Sequence, residues 1–270
     1  MRKRGTVSAL TLVAALVVGC GGVVEGTAKP APNLKPRPLA GAAVKQVLLD
    51  DAALSRMLGQ PFVARKPAEF GGPDKLDQRD AASSPAGCLG VASMLHKSVY
   101  QSAEAAQTAQ VKDVASEAWW NNGEPAQVIT VMEGVVTFAS PEQALALFVQ
   151  FSEQWQKCNG ATTTEHAGPI STTNVISDVR VAGPADSAGA SGSGGSVLTA
   201  TNTATSVLPK MPALEPTPQA RALGVRSNCI VEVAVVFFGG RRPSDPGSAT
   251  LETSAADVAH AMMDKISALG

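Results

Sequence analysis

Aromatic side chains are scarce in this 270-residue chain: seven Phe, three Trp and one Tyr, 4 % of the total. Its core therefore cannot rest on a few large anchors and must sum many Ala, Val and Leu contacts, at about 25 cal/mol per Å² of apolar surface buried. Only three histidines are present, His96, His166 and His260, none in an H-x-x-x-H context, and there is no C-x-x-C pair. No local metal motif exists, and no metal or cofactor is expected. A G-x-S-x-G elbow, a phosphate loop and a dinucleotide fingerprint are missing too, which argues against an enzyme. Charge is nearly balanced, with 22 Lys and Arg against 23 Asp and Glu, so nucleic acid is not an expected partner. The uncharged run from Gly5 to Gly19 has 15 residues, short of the roughly 20 that cross a bilayer.

What that short run does form is a secretory leader. Arg2, Lys3 and Arg4 give a positive end, Thr6 to Val18 an apolar stretch, and Val17-Val18-Gly19-Cys20 a close of small residues and a cysteine. The ending resembles the bacterial lipobox, in which the Cys sulfur is diacylated and becomes the first residue of the mature protein. On that reading residues 1–19 are removed and Cys20 carries a lipid anchor on the outer side of the cell membrane. A freely secreted protein would leave Cys20 as an unexplained thiol. Several acyl chains bury far more methylenes than the single chain that binds only marginally. Cleavage takes three basic residues and no acidic one, leaving 19 against 23, a balance of −4.

From Cys20 to Ala43 the chain holds Pro30, Pro32, Pro36 and Pro38 with no apolar period, and reads as a flexible tether. Residues 44–270 then form one domain. Val44 to Leu58 has helical spacing and is stopped by Gly59 and Pro61; Phe62 to Gly87 reads as loop. Within that loop Asp74, Asp77 and Asp80 lack the ligand order of a calcium loop and are read as solvated. Cys88 to Tyr100 is strand or helix start, and Ala103 to Trp119 weakly helical or extended, ending in a turn at Trp119-Trp120-Asn121-Asn122-Gly123. Paired tryptophans could stack on a sugar; cover over the core is the plainer reading.

Val128 to Ala139 alternates as a strand. Ser140-Pro141-Glu142-Gln143 has the capping-box order, and Leu145, Phe148, Val149, Ser152 and Trp155 are expected to share one helix face. Thr162 to Thr164 and Val175 to Val181 are β-branched strands, Asp186 to Gly195 a hairpin tip, Ser196 to Val207 a half-buried strand and Leu208 to Pro218 a loop. Ile230 to Phe238, apolar except for Glu232, reads as a central strand. Ser254, with Asp257 at the third helical position, opens a last helix with Val258, Met262, Ile266 and Leu269 as its core stripe. Strands and helices without regular βαβ alternation imply an α+β fold, a central antiparallel sheet flanked by helices.

Cys88, Cys158 and Cys229 allow three pairings in an exported protein. Cys88 follows a turn-like approach and Cys158 ends a helix, both edge positions suited to a bridge, whereas Cys229 lies in an apolar run. That favours a Cys88–Cys158 disulfide. It also disfavours Cys158 as a nucleophile.

The lipobox and Pro-rich tether are followed by a Leu-Leu-x-x-x-x-Leu-like opening helix, Cys88-Leu89-Gly90 before Tyr100, and the strand into Phe138 and Ser140 to Ala144. Trp155-x-x-Cys158-Asn159-Gly160 comes next, then Arg221-Ala222-Leu223 and Arg226-Ser227-Asn228 before an acid-containing strand. This order resembles the extracellular sensor domain of mycobacterial PknH-type serine/threonine kinases, over about Val44 to Leu269. The resemblance implies an α+β domain with disulfides and a cleft for an unknown ligand, with Trp155, Arg221 and Asn228 as candidate cleft residues. The chain departs from the pattern where Pro218-Gln219-Ala220 precedes Arg221 in place of a Cys and where a later Cys is missing, so one disulfide of the usual two is absent and Cys229 is unexplained. With no kinase domain, signalling within the same polypeptide is not expected. The function expected is a lipid-anchored, non-catalytic module binding a small molecule, lipid or glycan; the alternative is a structural or protein-interaction lipoprotein without such a ligand.

Overall fold

The computed structural model describes residues 37–78, 82–122, 126–182, 195–240 and 245–270. Cys20, the leader, most of the tether, Asp80 and nearly all of the hairpin tip at 186–195 lie outside them. Leu39, inside the stretch read as tether, is buried, so packing starts before residue 44. A 3-10 turn at Gly41–Val47 leads to α1, Asp51–Leu58, whose N-cap Asp50 accepts a hydrogen bond from the Ala53 amide at 2.7 Å. Gly59 ends it in the left-handed region, φ 69°, which glycine adopts without a Cβ penalty.

The stretch expected to be loop contains three short strands, β1 (Phe62–Ala64), β2 (Glu69–Gly71) and β3 (Ala82–Ser84). Three helices of a turn or so follow, α2 (Leu89–Ala92), α3 (Lys97–Tyr100) and α4 (Ala103–Thr108), and then β4 (Val114–Asn121) and β5 (Val128–Thr137). The tryptophan pair therefore lies in a strand rather than a turn, and alternation sends Trp119 into the core and Trp120 outward. Helix α5, Pro141–Lys157, starts as the capping box requires, with Ser140 Oγ accepting from the Gln143 amide at 3.4 Å. Its buried face is Ala144, Leu147, Phe148, Phe151, Ser152 and Trp155; Leu145 and Val149 point to solvent, because the stripe runs through the i+3 partners of Ala144 and Phe148.

Strands β6 (Thr162–Ala167), β7 (Ile170–Ala182), β8 (Val197–Val207), β9 (Thr217–Arg226) and β10 (Cys229–Phe237) precede the last helix, α6, Ser254–Leu269. Strand β9 takes in Thr217 and Pro218, expected to close the loop from Leu208, and the Arg-Ala-Leu segment, which periodicity had left unassigned. Ser254 is the first helical residue of α6, and Thr253 is its N-cap without a side-chain cap. Val258, Met262 and Ile266 are buried with Ala255, Ala259 and Met263, but Leu269 is exposed at the fraying end.

The ten strands form one sheet, and every ladder in it is antiparallel, in the order β1-β4-β5-β10-β9-β8-β7-β6-β3, with β2 also on the outer edge of β4. All nine residues of β10 are buried, as a central strand between two layers requires. Val231, Val233, Val235 and Phe237 face a core closed by α1, α6 and the Gly41–Val47 turn. On the other face Ile230, Leu223, Val225 and Leu198 pack under α5. The Cys88–Cys158 disulfide forms, tying the turn before α2 to the end of α5. Cys229 is a free thiol on the first face, fully buried, and desolvation pushes it up to about 12, so it stays protonated and inert.

Candidate functional site

Helix α5 covers only one end of its sheet face. The other end is open and forms a groove of about 820 Å³, a size typical of small-ligand sites. Register places Ala234 of β10 beside Met132 of β5 and Arg221 of β9, with Ala118 and Ser116 of β4 continuing the floor. Further along, Gln219 and Thr217 of β9 lead to Ala204 and Ser206 of β8 and to Asn174 and Thr172 of β7. One wall is the segment from Ala92 to His96, and another runs from Asp74 to Gln78.

The wall is held from below by a buried polar group. Glu232, the one acid in the apolar strand, receives Tyr100 Oη at 2.6 Å and the Leu95 amide at 3.3 Å on one oxygen, and Arg221 Nη2 at 3.0 Å on the other. Arg221 also donates from Nε to the Val91 carbonyl at 3.0 Å and from Nη2 to Gly90 at 3.2 Å, and Asn202 Nδ2 reaches the same Val91 oxygen at 2.9 Å. Burial first, and the Glu232 carboxylate second, hold the Tyr100 phenol well above its usual range, so it remains a donor. Leu95 sits at φ 51°, an unfavourable region for a branched side chain, and lies over Gly134, where a Cβ would come within 2.5 Å of Leu95 Cδ1. Gly134 is thus the residue that lets the wall close on the sheet.

Of the three residues named from the sequence, Arg221 lines the groove. Trp155 lies behind it, its ring centroid 5.7 Å from the guanidinium, and both are 1 % exposed. Asn228 is elsewhere. In the turn between β9 and β10 it exchanges hydrogen bonds with the Leu39 backbone at 2.7 and 2.9 Å and donates to Phe138 O at 2.9 Å, pinning the incoming chain to the sheet. Periodicity pointed to none of Glu165, Ser93 and Asn174, which meet in the groove with Ser93 Oγ and Asn174 Nδ2 each 3.1 Å from the Glu165 carboxylate. Glu232 did carry a signal: a lone acid in an apolar strand needs a buried partner, and Arg221 is that partner. Glu133 carried the same signal. It points to the opposite face, accepting from Trp119 Nε1 at 3.2 Å and the Leu49 amide at 3.4 Å, and burial raises its carboxyl to about 8.

Among the described residues no group of three or more His, Cys, Asp or Glu is placed to hold a metal ion, and no helix is long and apolar enough to cross a membrane. The site offers a donor- and acceptor-lined concavity.

Residues 39–265 match the model of the PknH-like extracellular domain. Among solved structures the chain is similar to the extracellular domain of PknH from Mycobacterium tuberculosis, with 18 % identity and a TM-score of 0.65 over 87 % of this chain and 100 % of that one. At that identity the likeness speaks for the fold. An uncharacterized protein from Mycobacterium smegmatis aligns at 12 % identity over 84 % of this chain and 96 % of that one, with a TM-score of 0.38, too low to bear on the fold. No curated protein matches. With 39–265 spanning most of its length, the chain belongs to the family of PknH-like extracellular domains.

Proposed function

We propose that this extracytoplasmic module is a lipoprotein anchored through Cys20, which binds a ligand in the open groove and performs no catalysis. The observation that carries the binding reading is the half-covered sheet: an antiparallel sheet normally buries or solvates a face, whereas this face is sealed by α5 at one end and walled into a concavity at the other. The leader and the cysteine that ends it support the anchor. Arg221 belongs to the groove as its buried cation, with Trp155 fixing it from behind, while Asn228 acts through the position of the N-terminal segment.

The purified protein, screened by thermal shift against envelope lipids, glycans and metals, is expected to rise in Tm with one ligand class in a concentration-dependent way. A flat response across all classes would leave the protein-interaction alternative in its place. The anchor is tested separately: protein recovered from cells is expected to begin at Cys20 with a mass increment for diacylglycerol and acyl chains. An uncut leader or a bare thiol would refute it.

A further inference from the structure

The chemistry of the groove narrows what it can take, and we infer that its ligand is an uncharged glycan lying across the strands. This ligand class rests on the ligand-binding reading of the groove. The floor is built from short hydroxyl and amide side chains on neighbouring strands, Ser116, Gln219, Thr217, Ser206, Asn174 and Thr172. Strands lie about 4.8 Å apart, so these groups recur on the scale of one sugar ring. Thr172 and Ser206 bond each other at 2.9 Å, Asn174 Nδ2 donates to Glu165 and Thr217 Oγ1 to the Ala204 carbonyl. Each of these groups keeps further acceptor capacity, while Ser116 and Gln219 can also donate, which suits a ligand of hydroxyl groups. Two further buried polar atoms of this region, Arg221 Nη1 and Asn202 Oδ1, have no hydrogen-bond partner among the described residues, one donor and one acceptor.

An acyl chain would need a trough of large aliphatic side chains. The floor instead carries Ala118, Ala204, Ala234 and a single Met132, and the larger apolar residues of the lining, Leu76, Met94 and Leu95, belong to the walls and form no continuous trough along the floor. A phosphate or sulfate would need surplus cations. Lys66 pairs with Glu69, Lys75 approaches Asp74 at 3.9 Å, and Arg221 is neutralised by Glu232. Arg65, the remaining permanent cation of the rim, lies 5.1 Å from the ring centroid of Trp120. That indole stands on the same face as Ala118, two residues further along β4, and is 41 % exposed beside Val63, which is 49 % exposed on the neighbouring strand. An exposed Trp at the end of a hydroxyl- and amide-lined groove is an apolar platform with a polar tip, suited to the C–H face of a pyranose.

The test titrates the purified protein with neutral tetra- to octasaccharides of mannose, arabinose, galactose and glucose, and in parallel with palmitate and with phosphatidylglycerol vesicles, reading tryptophan fluorescence and heat. The expected result is saturable binding of at least one oligosaccharide, weakened about tenfold by Trp120→Ala and by Gln219→Ala, both of which keep the parent Tm. Saturable binding of palmitate or phosphatidylglycerol in the groove with no oligosaccharide bound would overturn the glycan class and leave the ligand-binding reading standing. An oligosaccharide whose affinity neither substitution changes would also overturn it, since its site would be elsewhere. Absence of binding from all three classes by the folded protein would remove both readings together.

Discussion

At the scale of single residues, two buried acids on opposite faces of the sheet are stabilised in different ways. Glu232 is neutralised by a cation, Arg221, and receives two further donors, Tyr100 Oη and the Leu95 amide. Removing Arg221 would strand a buried carboxylate, a loss of about 3–5 kcal/mol by the precedent of broken buried pairs. Glu133 has two donors, with Lys265 as the cation that lowers its pKa and Glu117 as the neighbouring acid that raises it; desolvation dominates and lifts the carboxyl from 4.5 to about 8. Below about 4.5 the group is protonated in both folded and unfolded chains. Between 4.5 and about 8 only the unfolded chain ionises, so its contribution to stability falls as pH rises, by up to ~1.4 kcal/mol per unit. Above about 8 the deficit is constant. Chemical denaturation of the parent protein and of Glu133→Gln at pH 5.5, 6.5 and 7.5 is expected to show a downward slope with pH in the parent that is reduced in the variant. Parallel slopes would mean that Glu133 is ionised in the fold.

At the scale of elements, the Cys88–Cys158 disulfide joins the base of the groove wall to α5 across a sequence separation of 70. A loop of that length constrains the unfolded chain by about 4 kcal/mol in the entropic model. The paired substitution Cys88→Ser with Cys158→Ser is expected to lower stability by that order in denaturant titration, and to weaken ligand binding through the loosened wall. Reduction without any change in the midpoint would show that the wall is held by the Arg221 contacts alone.

The longer elements were legible in the sequence because local signals and tertiary need agree there. Strand β5, helix α5, strand β10 and helix α6 each have a clear period, and α5 also has its cap. Strand β9 was not legible as such: Pro218 at its start and Arg221 in its middle mimic a loop, and only pairing to both neighbours makes it a strand. Burial on both sides of the helix stripe misled for Leu145 and Val149, because an apolar residue at i+4 from another fits two adjacent faces equally. The groove was not legible at all. Its floor is alternate residues of six strands, and nothing local marks Ser116, Thr172 or Gln219 as neighbours. Arg221 entered through family resemblance, and its location in the groove followed from topology.

At the scale of the whole molecule, the N-terminal segment and the groove occupy different sides. Leu39 is fixed at the β9–β10 turn, the amide of Arg37 donates to the carboxyl-terminal Gly270 at 3.2 Å, and the turn from Gly41 to Val47 packs on the closed face of the sheet. Ala234, at the groove floor, is six residues along the chain from Asn228, roughly 20 Å at the rise of a strand. Immobilising the protein through its N-terminus is therefore expected to leave its affinity for the groove ligand unchanged, whereas a polyethylene glycol chain coupled to Gln78→Cys at the wall should abolish it. Equal loss from both attachments would contradict the separation of the two sides.

The fixing of Leu39 by Asn228 decides where a pull on the chain is borne. A force applied at Arg37, the first described residue, would enter the sheet at the β9–β10 turn, and the load would be carried there instead of by the strands that line the concavity.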